Sequence, residues 1–413
     1  MIAGQTPGVQ ESSEAIGRAR WLTPGVGGIG TASLLADVGH EIPTALLPSL
    51  LTSTLGAPAS ALGLLEGVSD GLAGLARLGG GALADDPERR RAVAVGGYTT
   101  TAVLSAGIGA ATSVWQVGVL RAGAWTARGL RVPARNALLA DVVHPSAYGR
   151  AYGFERAMDN LGAILGPLLA IGLVGMFSTR TVIALSVIPG LLAALAILYA
   201  IRHTARPHQR ERVPIRLRVG PVLSGPLRRL FGGITAFELG NCAATLLILR
   251  ATELLDDGHG DTAAAQIALG LYVAYNVAAT LTSLAAGRHN DRRGAVPTLT
   301  FGAVAFAAAY LGFTVDTGSW LALAPWFVLA GIGIGCVETA EHGAVATHTP
   351  DQLRGSAFGL LAGVQSLGNL AASATAGLLW TALGPAWAFA YLAAWMGFAA
   401  ITLFTAGTGR SAG

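Results

Sequence analysis

The stretch GALADDPERRR at residues 81–91 returns in altered form as GRHNDRRG at residues 287–294. The leading glycine and the aspartate are both displaced by 206 residues (287−81 and 291−85). A second landmark keeps this offset, since AYGF at 151–154 matches AFGL at 357–360 (357−151). One displacement that serves two distant landmarks indicates an internal duplication. We therefore predict that the chain folds as two related halves.

The composition is that of a membrane protein. Hydrophobic residues make up 52% of the 413 residues and charged residues 12%, and the mean hydropathy is +0.55. So few charges cannot cover the surface of a soluble protein of this size. We predict an all-α membrane protein with about twelve transmembrane helices, six in each pseudo-symmetric half. Apolar stretches of about 20 residues, enough to cross a bilayer, lie near residues 29–51, 61–84, 92–112, 115–140, 151–175, 180–201, 230–252, 264–287, 296–315, 320–345, 355–380 and 385–406.

The distribution of arginine predicts how the chain lies in the membrane. Loops on one side collect Arg89–Arg91, Arg150 and Arg292, whereas loops on the other side carry Glu253 and Asp316. The positive-inside rule then places both termini in the cytoplasm. The predicted organisation is a cytoplasmic tail at 1–28, a six-helix half at 29–201, a basic cytoplasmic linker at 202–229, a second six-helix half at 230–406 and a cytoplasmic tail at 407–413.

Two six-helix halves joined by a basic linker resemble the major facilitator superfamily. Its most specific pattern, Gly-x-Leu-Ala-Asp-Arg-x-Gly-Arg-Lys, lies between helices 2 and 3, and here Asp86 and Glu88 depart from it. The matching positions of the two copies are Gly81, Asp85, Arg89, Arg90, Gly287, Asp291 and Arg292. The resemblance implies that Asp85 helps to latch the halves together on the cytoplasmic side, by a contact with a helix end or an arginine. A solvated loop carboxylate is the alternative.

Helix 5 carries Gly153-x8-Gly162-x3-Gly166-Pro167. The spacing resembles the signature of drug and metabolite antiporters in the superfamily, although Ala170-Ile171 replaces its final glycine pair. Glycines at this spacing also suit close helix packing, and the proline permits a bend. Further motifs are Asp37 to Glu41, Arg128-Gly129-x-Arg131 through Arg135 to Ala140-Asp141, Arg156-Ala157-Met158-Asp159 and Glu338-x-x-Glu341. They resemble those of a bacterial branch of permeases known mainly as efflux proteins, which implies the inner membrane as the location.

Ionisable residues within spans are the leading functional candidates, because each costs roughly 2.5–3.5 kcal/mol at mid-helix unless it faces a cavity or a partner. Helix 1 and helix 10 each combine acids with a histidine, and the resemblance implies that helices 1, 4, 7 and 10 line a central cavity. The predicted cavity residues are Asp37, His40, Glu41, Arg121, Arg128, Arg131, Glu238, Asn241, Glu338, Glu341 and His342. Proton coupling and structural ion pairing between helices both remain open for the carboxylates.

Other intramembrane charges are predicted to pair within the first half. They share helix faces on helices 2, 4 and 5 and comprise Glu66, Asp70, Arg77, Arg135, Arg156 and Asp159. Arg131 and Arg135 lie near the cytoplasmic end of helix 4, where snorkelling is an alternative.

The favoured function is a secondary transporter that exports a small organic solute, drug-like or metabolite-sized, in exchange for protons. A divalent-metal exporter that uses Asp37, His40, Glu41, Glu338, Glu341 and His342 is an alternative, as is a solute:proton importer. No phosphate-binding loop in a suitable context, Cys-x-x-Cys pair or nucleophile elbow supports an enzyme. We expect no cofactor and no nucleic acid, a monomer in the lipid bilayer, and a small solute and protons as its partners.

Overall fold

A computed structural model describes residues 21–204, 214–224 and 226–408, and the regular elements in these ranges are helices. We number as α1 to α12 the helices that correspond to the predicted spans; α6 and α7 are each interrupted, and a short helix, Val219–Val222, precedes α7. Their bounds are Pro24–Ser49 (α1), Ala59–Ala84 (α2), Pro87–Gly107 (α3), Val114–Val142 (α4), Tyr148–Val174 (α5), Thr179–Leu185 and Val187–Arg202 (α6), Pro226–Glu238 and Ala244–His259 (α7), Asp261–Arg293 (α8), Ala295–Phe313 (α9), Trp320–His348 (α10), Arg354–Leu383 (α11) and Pro385–Thr408 (α12).

The first helix begins earlier than residue 29. Thr23 caps α1, because its hydroxyl accepts a hydrogen bond from the amide of Val26 at 3.3 Å, and Pro24 supplies the first helical residue. Helix α1 then continues into one π-helical turn, Leu50–Thr54. The predicted tails and the linker lie partly outside the described residues.

The prediction of one continuous span at residues 230–252 is wrong, since α7 is broken between Glu238 and Ala244. The freed backbone groups find partners on α11: the Ala243 amide donates to the hydroxyl of Ser373 at 2.8 Å, and the Asn369 amide group donates to the Asn241 carbonyl at 2.8 Å. A broken helix is tolerated inside a membrane where other groups satisfy its backbone.

Seven of the described helices are long and apolar enough to cross a membrane: α3, α5, α6, α8, α9, α10 and α12. The others are less apolar for identifiable reasons. Helices α1, α2 and α4 carry intramembrane charges, α7 is broken, and α11 is rich in small and polar residues. The fold is nonetheless the predicted all-α bundle of two six-helix halves.

The two halves meet chiefly along two helix pairs, α2 with α11 and α5 with α8, and less extensively where α10 packs on α5 and α11 on α4. The helix backbones of the two halves approach closely at both crossings, because a glycine of one helix faces a glycine of the other. A Cβ atom at Gly81 would lie 2.6 Å from the Cα of Gly359, and one at Gly149 would collide with the backbone of Gly287. We call the end of the bundle at which these crossings lie the Asp85 end.

Helices α2 and α11 separate towards the opposite end of the bundle. Glycines recur on the face of α2 that carries Gly81, and a Cβ atom at Gly74 would still meet the Cβ of Ser366 on α11 at 3.3 Å. Three glycines further along this face would meet nothing within 4 Å: Gly63, Gly67 and Gly71. Along this helix pair the halves are therefore closed at the Asp85 end and apart beyond Gly74.

Candidate functional site

The first group of charges joins α1 to α4. The Arg128 guanidinium lies 2.9 Å from Nε2 of His40 and 3.4 Å from a carboxylate oxygen of Asp37. Asp37 and His40 are buried, whereas Arg128 is about a quarter exposed (26%). Glu41 completes this α1–α4 cluster, with one oxygen 3.7 Å from His40 Nε2. An intramembrane carboxylate, an imidazole and an accessible arginine thus form one contact network.

Glycines of α5 fix the position of α1 and its acids. A Cβ atom at Gly162 would lie 2.8 Å from the Cβ of Asp37, and one at Gly166 would collide with the Cβ of Glu41. Pro167 lies inside α5 directly after this contact. The glycine series therefore lets the acid-bearing face of α1 approach α5 closely, while Gly153 makes a separate contact with the backbone of Ser283 on α8.

Helices α2 and α4 form a second layer beside this cluster. Arg121 is fully buried; it donates to Glu66 at 2.5 Å, and its guanidinium stacks 3.9 Å from the ring of Trp125. Trp125 in turn donates to Asp70 at 2.8 Å and lies against the imidazole of His40, with 4.3 Å between ring centroids. Glu66 is therefore in an ion pair within the first half, whereas the hydrogen bond of Asp70 comes from an indole.

Glu155 was missed by the sequence analysis, although it organises the charges of α4 and α5. Its side chain is fully buried and accepts from Ser33 at 2.6 Å, from Arg135 at 2.8 Å and from Arg156 at 2.7 Å. Asp159 also pairs with both arginines, at 3.3 and 3.2 Å. We call these five residues the Glu155 cluster. The neighbouring Glu155-Arg156 pair and the four-residue spacing to Asp159 were the signal in the sequence.

Two arginines predicted to pair within the first half instead reach the second half. Arg77 donates to the hydroxyl of Ser366 and, at 3.5 Å, to the carbonyl of Ala362, both on α11. Arg156 lies 3.9 Å from Glu338 on α10, in addition to its contacts within the Glu155 cluster. The internal-pair prediction is therefore incomplete for both arginines: Arg77 also interacts electrostatically with Asp70 of its own half, and the sequence does not reveal which helix of the other half faces a given side chain.

The second half presents a different set of polar contacts. Glu341 is fully buried and accepts from the Gln365 amide, while its other oxygen has no hydrogen-bond partner in the described part of the chain. Nδ1 of His342 lies 2.6 Å from the carbonyl of Glu338. Glu238 accepts from Asn241 at 3.0 Å at the break in α7. Glu341 and Glu238 therefore accept from amide groups, whereas Glu338 lies within ion-pair distance of an arginine, Arg156.

Arg131 belongs to a different environment from the other predicted cavity residues. Its guanidinium stacks 4.0 Å from the ring of Tyr98, and its Cβ atom packs on Gly97 of α3. The side chain is buried at 3% exposure. Its ring and packing contacts thus lie on α3, while its charge also interacts with those of Asp37 and Arg128.

At the Asp85 end, an aspartate of each half caps a helix of the other half. Asp85 accepts from the amide of Ser356 at 2.7 Å and from its hydroxyl at 2.5 Å, in the first turn of α11. Asp291 accepts from the amides of Gly149 and Arg150 at 2.6 and 3.2 Å, in the first turn of α5. The two contacts are related by the internal offset, since 291−85 and 356−150 are both 206. Carboxylates are favourable at helix N-termini, where amides lack internal partners.

The two aspartates differ in their further contacts. Arg150 also donates its side-chain Nε to Asp291 at 2.7 Å, so that this contact includes an ion pair. Burial raises the pKa of the Asp85 carboxyl above its ordinary value, and the two hydrogen bonds from Ser356 oppose the shift because they favour the charged form.

Further arginines at this end form hydrogen bonds and ion pairs with the loops that connect the helices. Arg90 donates to the Ala84 carbonyl at 2.7 Å and to Asp141 at 2.5 Å, and Arg354 of the second half reaches Asp141 at 3.2 Å. Arg89 lies 3.8 Å from Asp86 within its own half. Arg292 is exposed in the last turn of α8. Arg90 is thus linked to Arg354 of the second half through their shared partner Asp141.

The described residues contain no group of three or more histidine, cysteine, aspartate or glutamate side chains arranged to hold a metal ion. His40 has Arg128 on its Nε2, and His342 directs its Nδ1 to a backbone carbonyl. The acid and histidine residues of α1 and α10 are therefore not brought together as a metal site.

Comparison with known proteins gives a consistent result. A sequence model described as Major Facilitator Superfamily matches residues 29–252 and 251–411. An uncharacterized MFS-type transporter of Methanocaldococcus jannaschii is 28% identical over 375 residues, which cover 90% of this chain and 92% of that protein. The structure of FucP, an MFS transporter in the outward conformation, has a TM-score of 0.72 at 15% identity and covers 94% of this chain and 99% of that one. A bacterial homologue of the iron transporter ferroportin, in an outward-facing state, has a TM-score of 0.70 at 16% identity, with coverages of 93% and 99%.

Proposed function

Since the chain belongs to the major facilitator superfamily, a superfamily of multi-pass membrane transporters, we propose that it exports a small organic solute in exchange for protons. Alternating access is the proposed mechanism: the two halves rock about a central site, so that the site opens to one side of the membrane at a time. The observation that carries the proposal is the α1–α4 cluster, which combines a buried carboxylate with an accessible arginine.

The bundle is closed at one end and open at the other, and this asymmetry supports alternating access. The helix-end contacts of Asp85 and Asp291 join the halves at one end of the bundle, and along α2 and α11 the halves separate beyond Gly74. Arginines cluster at the Asp85 end, which the positive-inside rule assigns to the cytoplasm. On this assignment, the conformation is outward-facing.

The α1–α4 cluster offers a way to couple solute to proton. Arg128 is the accessible member, and it contacts both Asp37 and His40. The solute of an exchanger binds the cluster while Asp37 and Arg128 are both charged, whereas a proton on Asp37 removes the negative charge that faces Arg128. An unpaired buried charge is costly, so the charged pair and the protonated carboxyl are alternative states of the cluster. Solute and proton then occupy the cluster in turn, as exchange requires.

The direction of transport rests on the glycine series of α5, which resembles the antiporter signature and packs against the acid-bearing face of α1. The ferroportin homologue shares the fold at 16% identity, but the described residues supply no cluster of three metal ligands. An organic solute is therefore favoured over a divalent cation.

We expect transported solutes to discharge a pH gradient in everted membrane vesicles that contain the protein. Vesicles energised by respiration quench acridine orange, and a solute that enters in exchange for protons restores the fluorescence. A panel of organic cations, anions and neutral compounds should contain solutes that do so. If solute accumulates equally with and without an ionophore that abolishes the gradient, proton coupling is refuted. Uptake driven by protons only in right-side-out vesicles would identify an importer.

Asp37→Asn should reduce gradient-driven transport at least about tenfold, because a hydrogen bond to a charged group contributes roughly 1.5–3 kcal/mol and each 1.4 kcal/mol is a factor of ten. The measurement is the initial rate of fluorescence recovery, normalised to protein in the vesicles. Asp316→Asn is the matched control, because Asp316 is 86% exposed and pairs only with Arg250 among the described ion pairs. Equal rates in the two variants would remove Asp37 from the coupling mechanism.

A further inference from the structure

A cavity separate from the α1–α4 cluster lies between the halves at the Asp85 end. Its volume is about 640 Å³. The first half contributes Pro145 and Ser146 from the loop before α5, and the second half contributes the start of α7, the α8–α9 junction and the end of α10. Neither the transport cycle proposed above nor the helix-end contacts require an open space of this size here.

Two polar side chains in the wall have no protein partner among the described residues. Asn290 is 9% exposed, and its side-chain amide forms no hydrogen bond there. Arg229 is exposed and forms no ion pair in the described ranges, so that its positive charge is available. A polar side chain that lines a cavity without a protein partner is available to hydrogen-bond a ligand.

The N-terminus of α9 also faces this cavity. Its cap is Gly294, which has a φ of +81° and no side chain to accept the first amides, and the first turn contains no acidic residue. Both Ala295 and Val296, the first two residues of the helix, line the cavity. An uncapped helix N-terminus attracts anions through its free amides and its dipole.

We propose that this cavity binds a phosphate group carried on a lipid or a small organic molecule. Arg229 supplies the charge, and Asn290 and the first amides of α9 supply hydrogen bonds. Asp291 also lines the cavity, but Arg150 and the amides at the start of α5 already neutralise and satisfy it. The apolar remainder of the wall, formed by Leu230, Val296 and Ala344, suits the body that carries the phosphate.

An occupant of this cavity touches both halves. It therefore stabilises the folded chain with the Asp85 end closed, because a ligand favours the state that it binds. The position at the basic end of a membrane protein makes the headgroup of an acidic phospholipid the first source to test. A soluble phosphate ester is the second source.

The test is thermal unfolding of the purified full-length protein in detergent, titrated with phosphatidylglycerol, with phosphatidylcholine, and with glycerol 3-phosphate. We expect a saturable rise in Tm with phosphatidylglycerol and a much weaker one with phosphatidylcholine. Arg229→Gln should raise the half-saturating concentration about tenfold, as expected for the loss of a charged hydrogen-bond donor. An equal, Arg229-dependent rise with glycerol 3-phosphate would support the site and identify a soluble ligand as its source.

Arg228→Gln is the matched control, because Arg228 is exposed next to Arg229 but does not line the cavity. Its half-saturating concentration should stay within about twofold of wild type, since an exposed charge contributes little to a specific contact. Thr347→Glu, at an exposed wall position, adds a carboxylate to the cavity and should weaken binding without disturbing the core. Equal weakening in Arg228→Gln and Arg229→Gln would overturn the proposal, as would the absence of any effect in both Arg229→Gln and Thr347→Glu.

Discussion

Replacement of Glu155 by glutamine is expected to lower the free energy of unfolding by about 3–5 kcal/mol, the range for breaking a buried ion pair by removal of one partner. Glu155 is fully buried and bonds to Arg135, Arg156 and Ser33. Glutamine keeps the shape of the side chain but removes its charge. Two buried guanidinium groups are then left with Asp159 as their close carboxylate partner, while Glu338 of the other half lies 3.9 Å from Arg156.

The measurement is unfolding by SDS in mixed micelles, followed by tryptophan fluorescence. Glu253→Gln, at an exposed position on α7, should change the unfolding free energy by no more than about 0.5 kcal/mol. Arg135→Gln combined with Glu155→Gln should recover part of the loss, because the double variant removes one charge of each sign. A loss of under about 1 kcal/mol in Glu155→Gln would show that water or Asp159 compensates the arginines.

The duplicated scaffold could be predicted from the sequence, and the structure shows how far the duplication extends. Arg135 and Glu341 occupy equivalent positions, as do Asp159 and Gln365 (341−135 and 365−159). The two positions are in contact in each half. In the first half Arg135 lies 3.3 Å from Asp159, and in the second half Glu341 accepts a hydrogen bond from Gln365. The repeat therefore preserves which positions meet but changes an ion pair into a carboxyl–amide pair.

Contacts between helices that are distant in sequence were the part that could not be predicted. Nothing in the residues around Arg77 indicates that Ser366 lies opposite, because that contact depends on how the halves are placed. The break in α7 was different: Gly240-Asn241 is a breaker dipeptide, but its apolar neighbours suggested a continuous span. Hydropathy identifies which segments enter the membrane, whereas the pairing of charges requires the three-dimensional arrangement.

Removal of both helix-end contacts should open the Asp85 end. We expect Asp85→Asn and Asp291→Asn each to shift the equilibrium between the closed and open forms of this end by about 1–2 kcal/mol, the range for a partly buried charge at a helix terminus. The double variant should shift it by about 2–4 kcal/mol, or roughly 30-fold to 1,000-fold. Spin labels at Glu88→Cys and Gln352→Cys, in a background in which Cys242 and Cys336 are alanine, would report the distance across this end.

Asp86→Asn is the matched control, because Asp86 adjoins Asp85 but caps a helix of its own half. It accepts hydrogen bonds from the amides of Glu88 and Arg89 at the start of α3, at 3.0 and 3.2 Å. It should leave the distance distribution unchanged. The additivity of the two other variants then tests the mechanism itself. If the halves move as rigid bodies, both contacts act on the same equilibrium and their free energies add. A double variant no more open than the stronger single variant would mean that one helix pair alone controls closure.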